Sequence, residues 1–176
     1  TGATGGVGMF AIDILARAGY DVVAVSRKAD TEGDFLKTLG ASDVITPDAL
    51  DLEGKPLGKP VYAGAIDAVG GDLLANIVAQ VQPYGNVAAI GLAGGPKLAT
   101  TVMPFILRGV SLLGIHSVEC PNAWREEIWG MLSSDQKPAH LDTIATQTVG
   151  LRDVHGVCEK IMAGDNTGRT VVDIQA

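Results

Sequence analysis

Thr1-Gly2-Ala3-Thr4-Gly5-Gly6-Val7-Gly8 packs four glycines into eight residues and runs straight into an apolar pattern at helical spacing. No other stretch constrains the fold as strongly. Glycines lacking Cβ let a backbone approach a diphosphate closely. The first amides of the following helix then point at the anion, and the helix dipole favours its charge. The dinucleotide fingerprint G-x-G-x-x-G fits Ala3 to Gly8, with Ala in the first glycine's place. Such a turn belongs after a buried strand, and nothing in the sequence precedes Thr1. The fingerprint alone also fits a plain glycine-rich helix start, so the rest of the chain must decide.

The 176 residues suffice for one well-cored domain. A net charge of −7 with no basic cluster argues against nucleic acid and anionic membrane surfaces as partners. No apolar run reaches the roughly 20 residues of a membrane span. Cys120 and Cys158 lie far apart and read as buried free thiols in a reducing, cytoplasmic setting.

Along the chain, helical and strand-like patterns alternate. A helix from Gly5 to Ala18 carries Met9, Ile12, Leu15 and Ala16 and stops at Gly19. Asp21–Val25 reads as a strand covered on both faces. Thr31 and Asp34 resemble a capping pattern for a helix through Leu39. Strands are expected at 43–46, 61–67, 86–90 and 110–115. Helical pieces are expected at 72–81 and 104–108, and a loop at 51–60. This alternation predicts an α/β fold with a doubly wound parallel sheet whose first, central strand is missing. Without that strand, its two neighbours should each expose an unpaired edge. After about Cys120 the pattern changes: a helix over 122–132 with Trp124 and Trp129 read as packing residues, a strand at 146–149, a helix over 151–162 and a strand at 170–174.

Ligands of doubly wound sheets sit at the carboxyl ends of the strands. There the first turn offers Thr4, Gly5, Gly6 and Val7 to a pyrophosphate. The next strand ends in Ser26-Arg27-Lys28, where NAD enzymes carry an acid for the ribose 2′-hydroxyl. A hydroxyl and two cations suit a 2′-phosphate instead, which favours NADP. The turn after Asp67, then Leu92 and Ala93, then Ser117, fall where a nicotinamide would lie. The histidines His116, His140 and His155 lack metal-ligand spacing, so no metal is expected. There is no P-loop and no nucleophile elbow. The opening also fits short-chain dehydrogenases, but no tyrosine is followed by a lysine four residues on.

Several stretches together resemble one family. They are Thr1–Gly8, Gly19–Ser26, Leu39–Ser42, Ala63–Gly71, Gly91–Gly95, Thr100–Val110 and Gly168–Val172. The chain resembles the cofactor half of a zinc-independent medium-chain dehydrogenase/reductase, more narrowly the acryloyl-CoA reductase group, whose members also carry the quinone oxidoreductase name. The resemblance implies a Rossmann-type NADP-binding domain over residues 1–130. It implies that residues 131–176 return to a GroES-like catalytic domain otherwise absent from the chain. It implies NADPH held by Thr4, Gly5, Gly6, Val7, Ser26, Arg27 and Lys28, with Leu92, Ile106 and Ser117 touching the cofactor further along. The implied reaction is reduction of a carbon–carbon double bond conjugated to a carbonyl, in an enoyl thioester such as acryloyl-CoA or in a quinone. The family further suggests a homodimer. No catalytic acid can be named in this chain. A dinucleotide-binding module without catalysis, such as a redox sensor or scaffold, is the competing expectation.

Overall fold

The computed structural model describes every residue from Thr1 to Ala176. All of its strand pairs are parallel. β1 (Val22–Val25) pairs with β2 (Ala41–Ile45), and β3 (Tyr62–Asp67), β4 (Val81–Ala89) and β5 (Ser111–Gly114) form a second sheet in that order. The two sheets are joined only near their carboxyl ends. Ala3 N–H donates to Val25 O at 3.1 Å, and the Thr1 nitrogen donates to Ile66 O at 2.8 Å. Thr1–Ala3 therefore occupies the last rung of a central strand, giving the order β2-β1-(1–3)-β3-β4-β5. The edges expected on β1 and β3 are present, but this rung closes them at the end that faces the glycine turn. The register aligns Val25 with Ile45, and Asp67 with Ala89 and Gly114, so the carboxyl ends form one row.

Helices cross between these strands because each has one apolar face to bury. α1 (Gly6–Arg17) buries Met9 and Ile12 in a core shared with Ala3, Ala24, Leu36 and Leu39. Gly19, with φ of 86°, turns the chain after it. α2 (Ala29–Thr38) starts earlier than Thr31: no side chain caps it, and Lys28 is its N-cap. α3 (Gly71–Val78) is shorter than its apolar run suggests. Gln80 and Val81 leave the helix because Val81 already pairs with Tyr62 at the start of β4. Pro83 does not end that strand. The residues up to Gly85 form an irregularity, with Tyr84 at φ 65°, and pairing resumes at Asn86. A second core gathers Val25, Leu50, Leu74, Val78, Val81 and Val87 beneath the other side. α4 (Met103–Arg108) leads to β5, and Arg108 donates to Ala79 O at 2.9 Å and Gly58 O at 2.6 Å, which fixes the entry to β4.

The tail holds α5 (Asn122–Leu132), α6 (Leu141–Ile144), β6 (Gln147–Gly150), α7 (Val154–Ala163) and β7 (Thr170–Asp173), with β6 and β7 paired in parallel. Residues 151–153 form a separate 3₁₀ turn before α7. α6 is not visible in the sequence pattern, yet its Ile144 is completely buried in the core beside α1. Two sequence expectations fail here. Trp124 and Trp129 are both 64% exposed in this chain rather than buried. The cysteines are free, but Cys158 is exposed and Cys120 only partly covered. No helix is long and apolar enough to cross a membrane.

Candidate cofactor-binding site

α1 begins at the carboxyl row with Gly5 as N-cap, no side-chain cap and no acid in its first turn. A Ser, Thr, Asp or Asn cap would satisfy one of the first amides, and the α-helices of this structure have none. Here the Gly6, Val7 and Gly8 amides have no acceptor within the chain. The tight approach of this helix to the strand stub explains the third glycine. A Cβ on Gly8 would lie 2.6 Å from Gly2 O and 2.7 Å from Ala3 Cα. The loop is thus a row of free donors at a positive helix end, suited to a diphosphate.

The β1 end stands directly beside it. Ser26 is buried, and its Oγ lies 3.3 Å from Thr4 Oγ1 and accepts the Lys28 N–H at 3.0 Å. The structure therefore brings Thr4, Gly5, Gly6, Val7, Ser26, Arg27 and Lys28 into one locus. Within it the two cations differ. Arg27 is exposed. Lys28 Nζ donates to Asn166 O at 3.0 Å and lies 3.4 Å from Thr167 Oγ1, so the tail loop already holds it. A polar crevice of about 370 Å³, lined by Glu32, Thr146, Lys160 and Thr167, borders this contact on the tail side.

The opposite flank is built by Asp67, which is wholly buried. Its Oδ1 accepts from Thr1 Oγ1 at 2.5 Å and its Oδ2 accepts the Gly70 N–H at 2.7 Å. The turn so fixed packs backbone to backbone on the loop after β4. A Cβ on Gly70, whose φ is 72°, would lie 2.7 Å from Gly95 O. Leu92 and Ser117 follow β4 and β5 at the same row and are exposed. Ile106 is 72% exposed on α4, which enters β5 from its amino end. No hydrogen bond joins these three to the glycine loop or to each other.

One group was not found from the sequence. Gly168 N–H donates to Thr4 O at 2.9 Å, pairing Gly168 with Gly5, and the Arg169 side chain lies over Gly6, where any Cβ would overlap it. A cation thereby stands at the mouth of the uncapped helix. The Gly-Arg pair after a loop carries no periodic signal, so only the folded-back tail reveals it. The Thr1 nitrogen sits beneath the same loop, bonded to Ile66 O. No three His, Cys, Asp or Glu side chains gather as a metal site.

A parallel sheet wound on both faces, with a glycine loop opening its central crossover helix and cations beside it, defines a dinucleotide-binding domain of the Rossmann type. The chain belongs to the zinc-binding dehydrogenase family, which it matches over residues 6–134. It is 46% identical over 175 residues to YhfP of Bacillus subtilis, named as a quinone oxidoreductase, covering 99% of this chain and 53% of YhfP. It is 43% identical over 177 residues to the acrylyl-CoA reductase AcuI of Ruegeria pomeroyi, covering 100% of this chain and 53% of AcuI. The crystal structure of Escherichia coli YhdH with bound NADPH superposes with a TM-score of 0.91 at 43% identity, covering 98% of this chain and 52% of that one. The chain spans about half the length of these relatives.

Proposed function

We propose that this chain is the cofactor-binding part of an NADPH-dependent reductase that acts on a carbon–carbon double bond conjugated to a carbonyl, with acryloyl-CoA as substrate and propanoyl-CoA as product. The observation that carries the reading is the glycine turn at the N-terminus of α1, packed on Gly2 and Ala3 with its first amides free, and Ser26-Arg27-Lys28 beside it. The residues present fit the cofactor: free amides for the diphosphate, glycines where a Cβ would collide, and cations where a 2′-phosphate would sit. The relatives named for acrylyl-CoA and quinone reduction, and the relative with bound NADPH, support the same assignment.

In this reading the Gly6, Val7 and Gly8 amides and Arg169 hold the diphosphate, and Ser26, Arg27 and Lys28 hold the 2′-phosphate. Leu92, Ile106 and Ser117 line the nicotinamide half together with the Ala68–Gly71 turn, which Asp67 fixes. NADPH supplies a hydride to the β-carbon of the substrate when bound. The chain's own part is orientation and charge balance. It contains no residue that we assign to stabilising the enolate oxygen or returning the proton. We assign those roles to a second domain to which residues 131–176 return, and we place the boundary of the cofactor domain near residue 130. Zinc takes no part in this reading.

The test adds acryloyl-CoA, other enoyl thioesters and quinones separately to the full-length protein with NADPH. Loss of NADPH absorbance with acryloyl-CoA is expected. Oxidation by quinones alone moves the substrate to that class. Tight NADPH binding with no turnover of any of them leaves a non-catalytic binding module and overturns the reductase reading.

A further inference from the structure

Asp13 is an acid in the wrong place for an amphipathic helix. It lies on the buried face of α1 beside Met9 and Ile12, is 1% exposed, and belongs to no active-site cluster. Burying a carboxylate among apolar side chains is costly unless it is bonded. Its partner is 127 residues away: Asp13 Oδ2 accepts the His140 backbone N–H at 2.8 Å. Asp13 Oδ1 and His140 Nδ1 face each other at 3.3 Å, poorly aligned and with no other partner. The neighbouring Arg17 side chain donates to the Lys137 carbonyl, so two successive turns of α1 grip the same tail segment.

What that segment holds matters more than the grip itself. His140 precedes α6, whose Ile144 is buried against α1. Ile144 O accepts the Arg169 N–H at 2.8 Å, and Gly168 N–H reaches Thr4 O at 2.9 Å. The Arg169 side chain then lies over Gly6. The contacts form a closed loop. It leaves α1 at Asp13, passes through His140, Ile144 and Arg169, and returns to the same helix at Gly6, about two turns N-terminal. A chain of contacts thus runs from a carboxylate in the middle of the helix to a cation at its end.

We propose that Asp13 and His140 are a positioning pair that holds Arg169 over the diphosphate loop. The inference rests on the dinucleotide reading of that loop. Because the diphosphate is common to both nicotinamide cofactors, the pair acts on NADPH and NADH alike, unlike Arg27 and Lys28.

The test is a double-mutant cycle on the full-length protein, reading Kd by fluorescence titration with NADPH and with NADH. Asp13→Leu suits the apolar surroundings, so it separates lost positioning from lost folding; thermal melting checks that it is folded. It should weaken both cofactors by the same factor, about fivefold to tenfold. In an Arg169→Gln background it should have no further effect. Asp13→Asn, which keeps an acceptor for the His140 N–H, should restore most of the affinity. If Asp13→Leu cannot be isolated folded, Asp13→Ala, which removes the same acceptor from the His140 N–H with a smaller side chain, runs the same cycle. An unchanged Kd, or the same loss with and without Arg169, overturns the proposal. Failure of the unsubstituted protein to bind either cofactor overturns the dinucleotide reading instead.

Discussion

The Thr1 hydroxyl donates to the Asp67 carboxylate at 2.5 Å across 66 residues, tying the start of the glycine loop to the turn after β3. The same carboxylate accepts the Gly70 amide, and the Ala68 amide donates back to Thr1 Oγ1 at 3.1 Å. The glycine loop and the turn after β3 are therefore both fixed by one buried acid. Asp67→Ala should destabilise the full-length protein by about 2–4 kcal/mol, because it strands a buried amide and a hydroxyl. Asp67→Asn should cost less. Urea denaturation measures both, and a loss below about 1 kcal/mol for the alanine variant would remove Asp67 from this role.

Gly6 and Gly8 separate binding from packing. A methyl at Gly8 meets the backbone of Gly2 and Ala3, which cannot move without shifting α1 from the sheet. Gly8→Ala should cost about 2 kcal/mol or more and lower the melting temperature. The atoms nearest to a methyl at Gly6 all belong to the flexible Arg169 side chain. Gly6→Ala should leave stability within about 1 kcal/mol and weaken NADPH by displacing that cation. Equal stability losses in the two variants would show that Gly6 is a packing position too.

Arg27 and Lys28 stand at the end of β1 in different states. Arg27→Ala should weaken NADPH about tenfold and leave NADH nearly unchanged. Lys28→Ala also releases Asn166 and Thr167. It should weaken NADPH similarly and in addition loosen the tail loop, seen as faster amide exchange at Gly168 and Arg169. Parallel titrations with the two cofactors decide; an equal loss for both in the arginine variant would mean that it does not read the 2′-phosphate.

Sequence patterns local to a few residues determined much of this protein. Apolar runs of four to six residues alternating with helical periodicity define the parallel sheet. The glycines of the first turn and the Ser-Arg-Lys turn sit at neighbouring strand ends because a doubly wound topology leaves them nowhere else. Element edges were less legible. The helical run over 72–81 ends at Val78 instead, because Val81 already pairs with Tyr62 at the start of β4. The tryptophans of α5 read as packing and are exposed. Tertiary structure alone decided which long-range partners complete the loop: Asp67 under Thr1, Arg169 over Gly6, His140 against Asp13. The physical reason is separation along the chain. Periodicity reports which face of an element is buried, whereas a carboxylate and an amide 127 residues apart meet only when the tail has folded back across α1.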